Sequence, residues 1–389
     1  TDLTDDFGYV FLYDDPSTTV GSTIQRYKFG TDSDAHQLNG NVMLQYDARF
    51  ENIDSSTLAG VEYLDSSTDA TTFYDLASPI DVRNPVFTGV AASVAPYLVE
   101  KDEATTKSLF LQQNLSFYER FIVTAGVRRD FMDLSAKGNN LYSGPFDDSD
   151  NISKTSYRSA LTYIVSDEVS TYVSYVESVS PPEVGVEPET GKQYEVGAKY
   201  SPTALKNALF SAAIYDLTQQ NVATAVLLDS GLIEQQTVGE SRARGLDLEA
   251  KAELTENISL VGGYSYLDAE VTKGAISKGG AAISIKGNDL ATAPKHSASL
   301  WTYYDVPGTD VSVGLGARYL GSYYYTTENT GKTDGTTLFD AALNYKIYKG
   351  TDLALNVSNI ADEQHLVGSG TSDYYNPGRE VTAKLSYSW

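Results

Sequence analysis

The chain has 389 residues, with 52 acidic and 28 basic side chains, a formal net charge of −24, no Cys and only 2 Met. That balance makes nucleic acid and an anionic inner leaflet poor partners, and the lack of Cys excludes a disulfide scaffold and thiolate metal sites. No apolar run reaches the roughly 20 residues of a membrane-spanning helix, residues 1–20 lack the basic and apolar regions of a signal peptide, and no composition break divides the chain.

In chain order, two weak strands are predicted near 7–13 and 23–30. Stronger ones follow near 38–50, 57–65, 107–117, 121–132, 155–165, 169–177, 192–200, 208–217, 237–254, 258–267, 295–305, 311–320, 337–347, 352–360 and 379–389. The basis is period two. Leu109, Leu111, Leu115 and Phe117 alternate with Phe110, Gln112, Asn114 and Ser116, and Phe121, Val123, Ala125 and Val127 with Ile122, Thr124, Gly126 and Arg128. Further on, Leu246, Leu248, Ala250, Ala252 and Leu254 alternate with Asp247, Glu249, Lys251 and Glu253, so the second face is wet. A helix would need apolar residues every three or four positions.

The last strand is the clearest. Val381, Ala383, Leu385, Tyr387 and Trp389 share one face, and Glu380, Thr382, Lys384, Ser386 and Ser388 the other. Successive strand side chains point to opposite faces, so this strand suits lipid outside and water inside, with an aromatic girdle at its end.

Most predicted strands have about the 9 to 11 residues that cross a bilayer when tilted. Short connections (118–120, 166–168, 201–207, 255–257, 306–310, 348–351) alternate with long ones (66–106, 133–154, 178–191, 218–236, 268–294, 321–336, 361–378). Outer-membrane barrels are built this way, with short periplasmic turns and long extracellular loops. The predicted fold is therefore all-β, a transmembrane antiparallel up-and-down β-barrel of 16 to 17 strands filling residues 1–389, its carboxyl terminus on the periplasmic rim. Bacterial single-chain barrels have even strand numbers, and an open edge is costly in lipid. An odd total means either that the count is off by one or that the chain lacks its beginning.

Seven motifs fall on these strands: Gly126 to Asp130 (GVRRD), Gly191 to Tyr200 (GKQYEVGAKY), Glu240 to Ala250 (ESRARGLDLEA), Tyr264 to Glu270 (YSYLDAE), Ala293 to Ser297 (APKHS), Asn356 to Ile360 (NVSNI) and Gly378 to Thr382 (GREVT). In this order they resemble the barrel of TonB-dependent siderophore receptors, from about residue 38 to the end. The resemblance implies a barrel of 22 strands preceded by a plug domain that carries the TonB box, and nothing in this sequence resembles that plug. It implies an outer-membrane receptor for a ferric siderophore, energised by TonB, ExbB and ExbD through the plug, with no covalently bound cofactor. Ala361 and His365 depart from the aromatics usual in the family. The ending Tyr387-Ser-Trp389 resembles the signal by which outer-membrane assembly machinery recognises its clients.

Aromatics in the predicted outer loops, Phe73, Tyr74, Tyr323, Tyr324, Tyr325, Tyr374 and Tyr375, are candidates for stacking on a chelate or for the interfacial girdle. A negative mouth would repel a trianionic catecholate complex, which favours a hydroxamate ligand. His36, His296 and His365 have no metal-ligand spacing. The acidic clusters Thr31 to Asp34 and Asp147 to Asp150 suit calcium chemically but read better as solvated loops, and Gly314 to Gly321 reads as a strand with small lumen-facing residues rather than a nucleotide fingerprint. No nucleophile, base and orienter form a set, so the chain is not expected to be an enzyme. A monomer surrounded by outer-membrane lipid and lipopolysaccharide is expected. The rival readings are a plugless passive channel, a surface adhesin or phage-receptor barrel, and an acidic soluble β protein.

Overall fold

The structure, a computed structural model, describes residues 2–4, 8–11, 21, 23–81, 83–86, 95–227, 233–369 and 373–388. Its strands are β1 (Asp2–Thr4), β2 (Gly8–Phe11), β3 (Thr23–Phe50), β4 (Ile53–Asp81), β5 (Pro96–Phe117), β6 (Phe121–Asn140), β7 (Gly144–Ile164), β8 (Val169–Ser180), β9 (Glu189–Tyr200), β10 (Lys206–Leu227) and β11 (Ile233–Glu253). There follow β12 (Ile258–Lys273), β13 (Ala275–Lys278), β14 (Ala281–Ser284), β15 (His296–Asp305), β16 (Val311–Leu320), β17 (Thr336–Tyr348), β18 (Thr351–Ser358), β19 (Leu366–Ser369), β20 (Asp373–Tyr375) and β21 (Glu380–Tyr387). One antiparallel sheet holds 17 of them, and β13–β14 and β19–β20 are separate hairpins.

Within the sheet each strand pairs with the next in an unbroken up-and-down series. The series runs from β3 to β12, continues with β15 to β18, and ends on β21. β1 and β2 both pair with the start of β3, opposite Asp32 to Asp34 and Arg26 to Phe29. No ladder between β3 and β21 is found among the described residues.

The total of 17 matches the sequence expectation, but its composition differs. Segments 23–30 and 38–50 are one strand, β3, paired with β4 along its length. Most of the predicted loop 66–106 is strand, with β4 running to Asp81 and β5 starting at Pro96, and 133–154 shrinks to the turn at 141–143. The reason is physical. Apolar alternation marks only the part of a strand that meets lipid, whereas the backbone ladder continues above it among polar residues, as where Asp65 pairs with Thr105 and the Thr105 Oγ1 also donates to Asp65 Oδ1 (2.8 Å). For the same reason both acidic clusters, Thr31 to Asp34 and Asp147 to Asp150, sit on paired strands and not in loops.

Register carries one apolar face around the sheet. Leu111 pairs with Val127, Val127 with Tyr157, Val173 with Val196, Val196 with Ile214, Ile214 with Leu246, Leu315 with Ala341 and Leu355 with Ala383. Val196, Ile214 and Leu385 are 60%, 65% and 67% exposed, an arrangement that water would not tolerate over so large a continuous surface. Aromatic pairs bound this belt: Phe121 on Tyr163 (4.7 Å) and Tyr200 on Phe210 (6.1 Å) by the short turns, Tyr175 on Tyr194 (4.9 Å) at the other rim. Directly above the second rim the same face turns ionic. Lys192 lies 4.0 Å from Glu177, Lys107 3.5 Å from Asp133 and Arg244 3.6 Å from Asp216, and Arg242 also pairs with Asp216. These exposed pairs contribute little stability. They mark where the apolar belt ends.

The belt makes a directional prediction. Leu111→Arg, on the lipid face, costs about 2–4 kcal/mol of folding stability in lipid vesicles, whereas Gln112→Arg, one residue on and facing the lumen, costs under about 1 kcal/mol. Denaturant midpoints of vesicle-refolded protein check this; equal losses would reverse the assignment of faces.

Candidate functional site

The polar face is organised into hydrogen-bonded networks that hold the lumen wall. Arg128 Nε donates to Asp130 Oδ1 (2.8 Å), Nη1 to Glu62 Oε2 (3.1 Å) and Nη2 to Ser108 Oγ (2.7 Å), and Ser108 Oγ donates to Asp130 Oδ1 (2.6 Å). The network ties β4, β5 and β6 together, and Ser108 and Asp130 are buried. A second network joins β16, β17 and the connection after β18. Arg318 Nε and Nη2 grip Asp340 at 2.7 and 3.0 Å, and the Asn359 backbone N–H donates to the same carboxylate at 2.9 Å. Bidentate Arg–carboxylate pairing fixes geometry as well as energy. Asn359 Nδ2 in turn donates to the carbonyls of Glu363 (2.8 Å) and Pro377 (3.1 Å).

Beside the second network lies a recess of about 760 Å³, lined by inward-facing Asp247, Glu249, Ser265, Ser299 and Arg318 and by His365 of the last connection. Its volume suits a drug-sized ligand, and its lining joins acids, hydroxyls and one guanidinium to apolar Leu320, Leu338 and Pro377. His365 Nδ1 is buried with no hydrogen-bond partner among the described residues. Among those residues no group of His, Asp and Glu converges as metal ligands.

Above the belt the connections following β12, β16 and β18 are locked to one another. Asn329, at φ 58°, accepts from the Asp289 N–H (2.7 Å) and donates to the Asp289 carbonyl (2.9 Å), copying a strand partner with its side chain. Thr292 N–H donates to Tyr324 O (2.7 Å), Asn288 Nδ2 to Thr327 O (2.9 Å), and Lys278 pairs with Glu328 (2.9 Å). Val271, Ile276 and Ile285 form a small apolar core beneath the β13–β14 hairpin. On other strands the vestibule is acidic. Glu100 and Asp102 face inward on β5 above the belt. Burial pushes both carboxyls up, Asp102 and Glu183 add to the rise at Glu100, and Glu183 adds to that at Asp102.

The predicted ligand aromatics divide on inspection. Tyr323 is 8% exposed and its hydroxyl donates to Val367 O (2.8 Å), which ties the connection after β16 to β19. Tyr324 is half-buried, with the Lys332 ammonium 5.1 Å above its ring, and Tyr325 is half-buried against Gly331. Tyr374 and Tyr375, on β20, are 55% and 57% exposed. The structure brings these five into one linked set. Phe73 is half-buried on β4, near the other end of the ladder series. The side chain of Tyr74 lies outside the described ones, as does Trp389. Tyr387 is exposed and pairs with Thr351. Sequence reasoning missed Asn329 and Asp289, whose only signal is an Asn placed in a Gly- and Thr-rich turn.

The TonB dependent receptor-like, beta-barrel family matches residues 1–360. The chain belongs to this family. The ferrichrome outer membrane transporter/phage receptor of Escherichia coli K12 is 32% identical over 375 residues, which cover 90% of this chain and 48% of that protein. The ferrioxamine B receptor of Salmonella typhimurium LT2 is 29% identical over 351 residues, 87% of this chain and 48% of the relative. The solved siderophore receptor PiuA from Acinetobacter baumannii superposes with a TM-score of 0.79 at 22% identity, covering 94% of this chain and 57% of its own, a likeness that shows the fold. This TonB-dependent receptor barrel thus spans about half the length of the curated relatives it matches. Members of the family are receptors and transporters, and the resemblance read from the seven motifs holds.

Two predictions concern the outer platform. Asn329→Ala strands the Asp289 N–H and C=O and costs about 1–3 kcal/mol locally, so amide exchange at Asp289 should accelerate by about 10- to 100-fold. Unchanged exchange would show that Asn329 does not clamp the loops. Above the ionic collar, hydrogen bonds from Lys273, Thr272 and Gln220 hold the Glu240 carboxyl down at about 2, against an ordinary value of 4.5. A depressed carboxyl stabilises the fold above its unfolded pKa and loses that contribution as pH falls through the folded value. The advantage of the native chain over Glu240→Gln in thermal midpoint should therefore be full above 4.5 and vanish toward pH 2.

Proposed function

We propose that this chain forms the barrel of an outer-membrane receptor that takes up ferric siderophores, driven through TonB, ExbB and ExbD acting on a plug domain of the whole receptor. The observation that carries the reading is the pairing of family membership with a locked outer platform that presents Tyr374 and Tyr375 beside a polar lumen. A lipid-clad wall with a wet interior is what a transporter needs of its barrel, and a rigid aromatic surface above it suits capture of a compact chelate.

The backbone edge of β3 from His36 to Phe50 and the second edge of β21 from Glu380 to Ser386 have no ladder partner among the described residues. Lipid cannot satisfy such groups. In the transport-competent receptor, further strands join these edges and a plug fills the lumen, and the receptor functions as a monomer in lipid and lipopolysaccharide.

The ligand class we favour is a neutral or cationic ferric hydroxamate. Two observations support it: the names of the ferrichrome and ferrioxamine B relatives, and the formal charge of −24 with inward-facing acids at the vestibule. A trianionic ferric catecholate would meet repulsion there.

In a whole receptor carrying this barrel, the double change Tyr374→Ala and Tyr375→Ala should weaken ferric hydroxamate binding by at least about tenfold, the loss of roughly 1.4 kcal/mol of stacking, while heat-resistant barrel migration on gels is kept. Full binding by the double variant would move the ligand site elsewhere. Tight binding of a ferric catecholate with none of a ferric hydroxamate would overturn the ligand class.

A further inference from the structure

The lumen wall follows a rule that no motif reveals. Among the described side chains on sheet strands, six aromatics face inward: Phe110, Phe146, Tyr172, Tyr215, Trp301 and Tyr303. Each stands directly opposite a glycine on the neighbouring strand, at Gly60, Gly138, Gly197, Gly245, Gly316 and Gly314 respectively. Glycine is 31 of 389 residues, so chance does not place one opposite all six.

The rings lie over these glycines. A Cβ built on Gly197 would come within 2.5 Å of the Tyr172 ring, on Gly316 within 2.6 Å of the Trp301 ring and on Gly314 within 2.8 Å of Tyr303, and it would also strike Phe110 from Gly60 and Tyr215 from Gly245; on Gly138 it would meet the Val99 carbonyl first and the Phe146 ring at 2.8 Å. Trp301 and Tyr303 stack at 5.7 Å with their planes 15° apart, covering Gly316 and Gly314 side by side. The lipid face provides the control. Tyr63 faces outward directly opposite Gly40, yet nothing lies within 4 Å of a Cβ built there. Glycine in a strand weakens pairing and marks close approach of another group, so a general role in stabilising strands would not confine ring-covered glycines to one face.

We propose that these glycines are seats: each holds the opposing ring flat against the wall, and together they keep the lumen clear for the occupant that fills it. Any larger residue at a seat tips the ring into the bore. The seats are positioning residues, and the proposal rests on the reading of this barrel as a transport wall. It adds to that reading which residues set the free width.

The experiment has a spectroscopic and a transport arm. The chain has 2 Trp, so Trp389→Phe leaves Trp301 as the only indole reporter. In detergent-folded protein, Gly316→Ala should raise acrylamide quenching of Trp301 by about twofold, and Gly40→Ala, on the lipid face, should leave it unchanged. A folded Gly316→Ala protein with unaltered quenching overturns the proposal. Where Gly316→Ala fails to fold, adding Trp301→Leu should restore folding by removing the ring that clashes, and failure of that rescue overturns it equally. In a whole receptor, Gly197→Ala with Gly245→Ala should cut ferric hydroxamate uptake by about tenfold at unchanged surface binding, and Tyr172→Leu with Tyr215→Leu should restore it. A destabilised wall would instead lose more when the rings are trimmed as well. Undiminished uptake with both alanines present overturns the role in the bore. A wild-type receptor that imports no ferric chelate refutes the proposed function, and Trp301 quenching then still decides for or against the seats.

Discussion

Everything in this barrel follows from one constraint: inside lipid, each backbone N–H and C=O must find its partner within the protein. A continuous antiparallel ladder meets it, and the ladders from β3 to β21 run without a break. Once the ladder is imposed, period two is obligatory, and every strand acquires one face for lipid and one for water. The side chains then specialise by face. Val196 and Ile214 give the outer face nothing to hydrogen-bond, while Arg128, Glu62, Ser108 and Asp130 on the inner face satisfy one another across three strands.

Several of the motifs that reveal the family supply pieces of that inner wall. In Gly126 to Asp130 the working residues are Arg128 and Asp130, which brace β5 and β6. In Glu240 to Ala250, Gly245 carries the Tyr215 ring and Asp247 accepts from Ser265 Oγ at 2.5 Å. In Asn356 to Ile360, Asn359 binds the Asp340 carboxylate and pins the connection that leads to the last strand.

The fold was legible in the sequence to the depth of the bilayer and no further. The belt strands and short turns are found where alternation placed them, because lipid writes that alternation into Leu109, Leu111, Val123 and Val127. The upper halves of β3 to β7 were hidden, since ladder hydrogen bonds between polar residues leave no apolar period to read. The candidate site was less legible still. Tyr323 looked like a ligand aromatic and is instead a buried strut to Val367, a distinction that depends on contacts between connections more than 40 residues apart. The glycine seats were out of reach for the same reason. Gly314 and Gly316 could be read as small lumen-facing residues, but knowing that Tyr303 and Trp301 cover them requires the register between β15 and β16.

The location of the net charge separates structure from function. On the lipid face the charges at the collar are paired, as in Arg242 with Asp216 and Lys192 with Glu177, and they largely cancel at a distance. In the lumen the central acids Asp130 and Asp340 are gripped by Arg128 and Arg318. Glu100, Asp102 and Glu183 behave differently. Burial and mutual repulsion raise the Glu100 and Asp102 carboxyls, which means that the fold holds like charges together at a cost. Such a cost is not needed to build a barrel wall, where a Ser or Thr would pair as well. It lies above the bilayer, on the face turned toward the vestibule, where a field of one sign acts on whatever approaches the mouth.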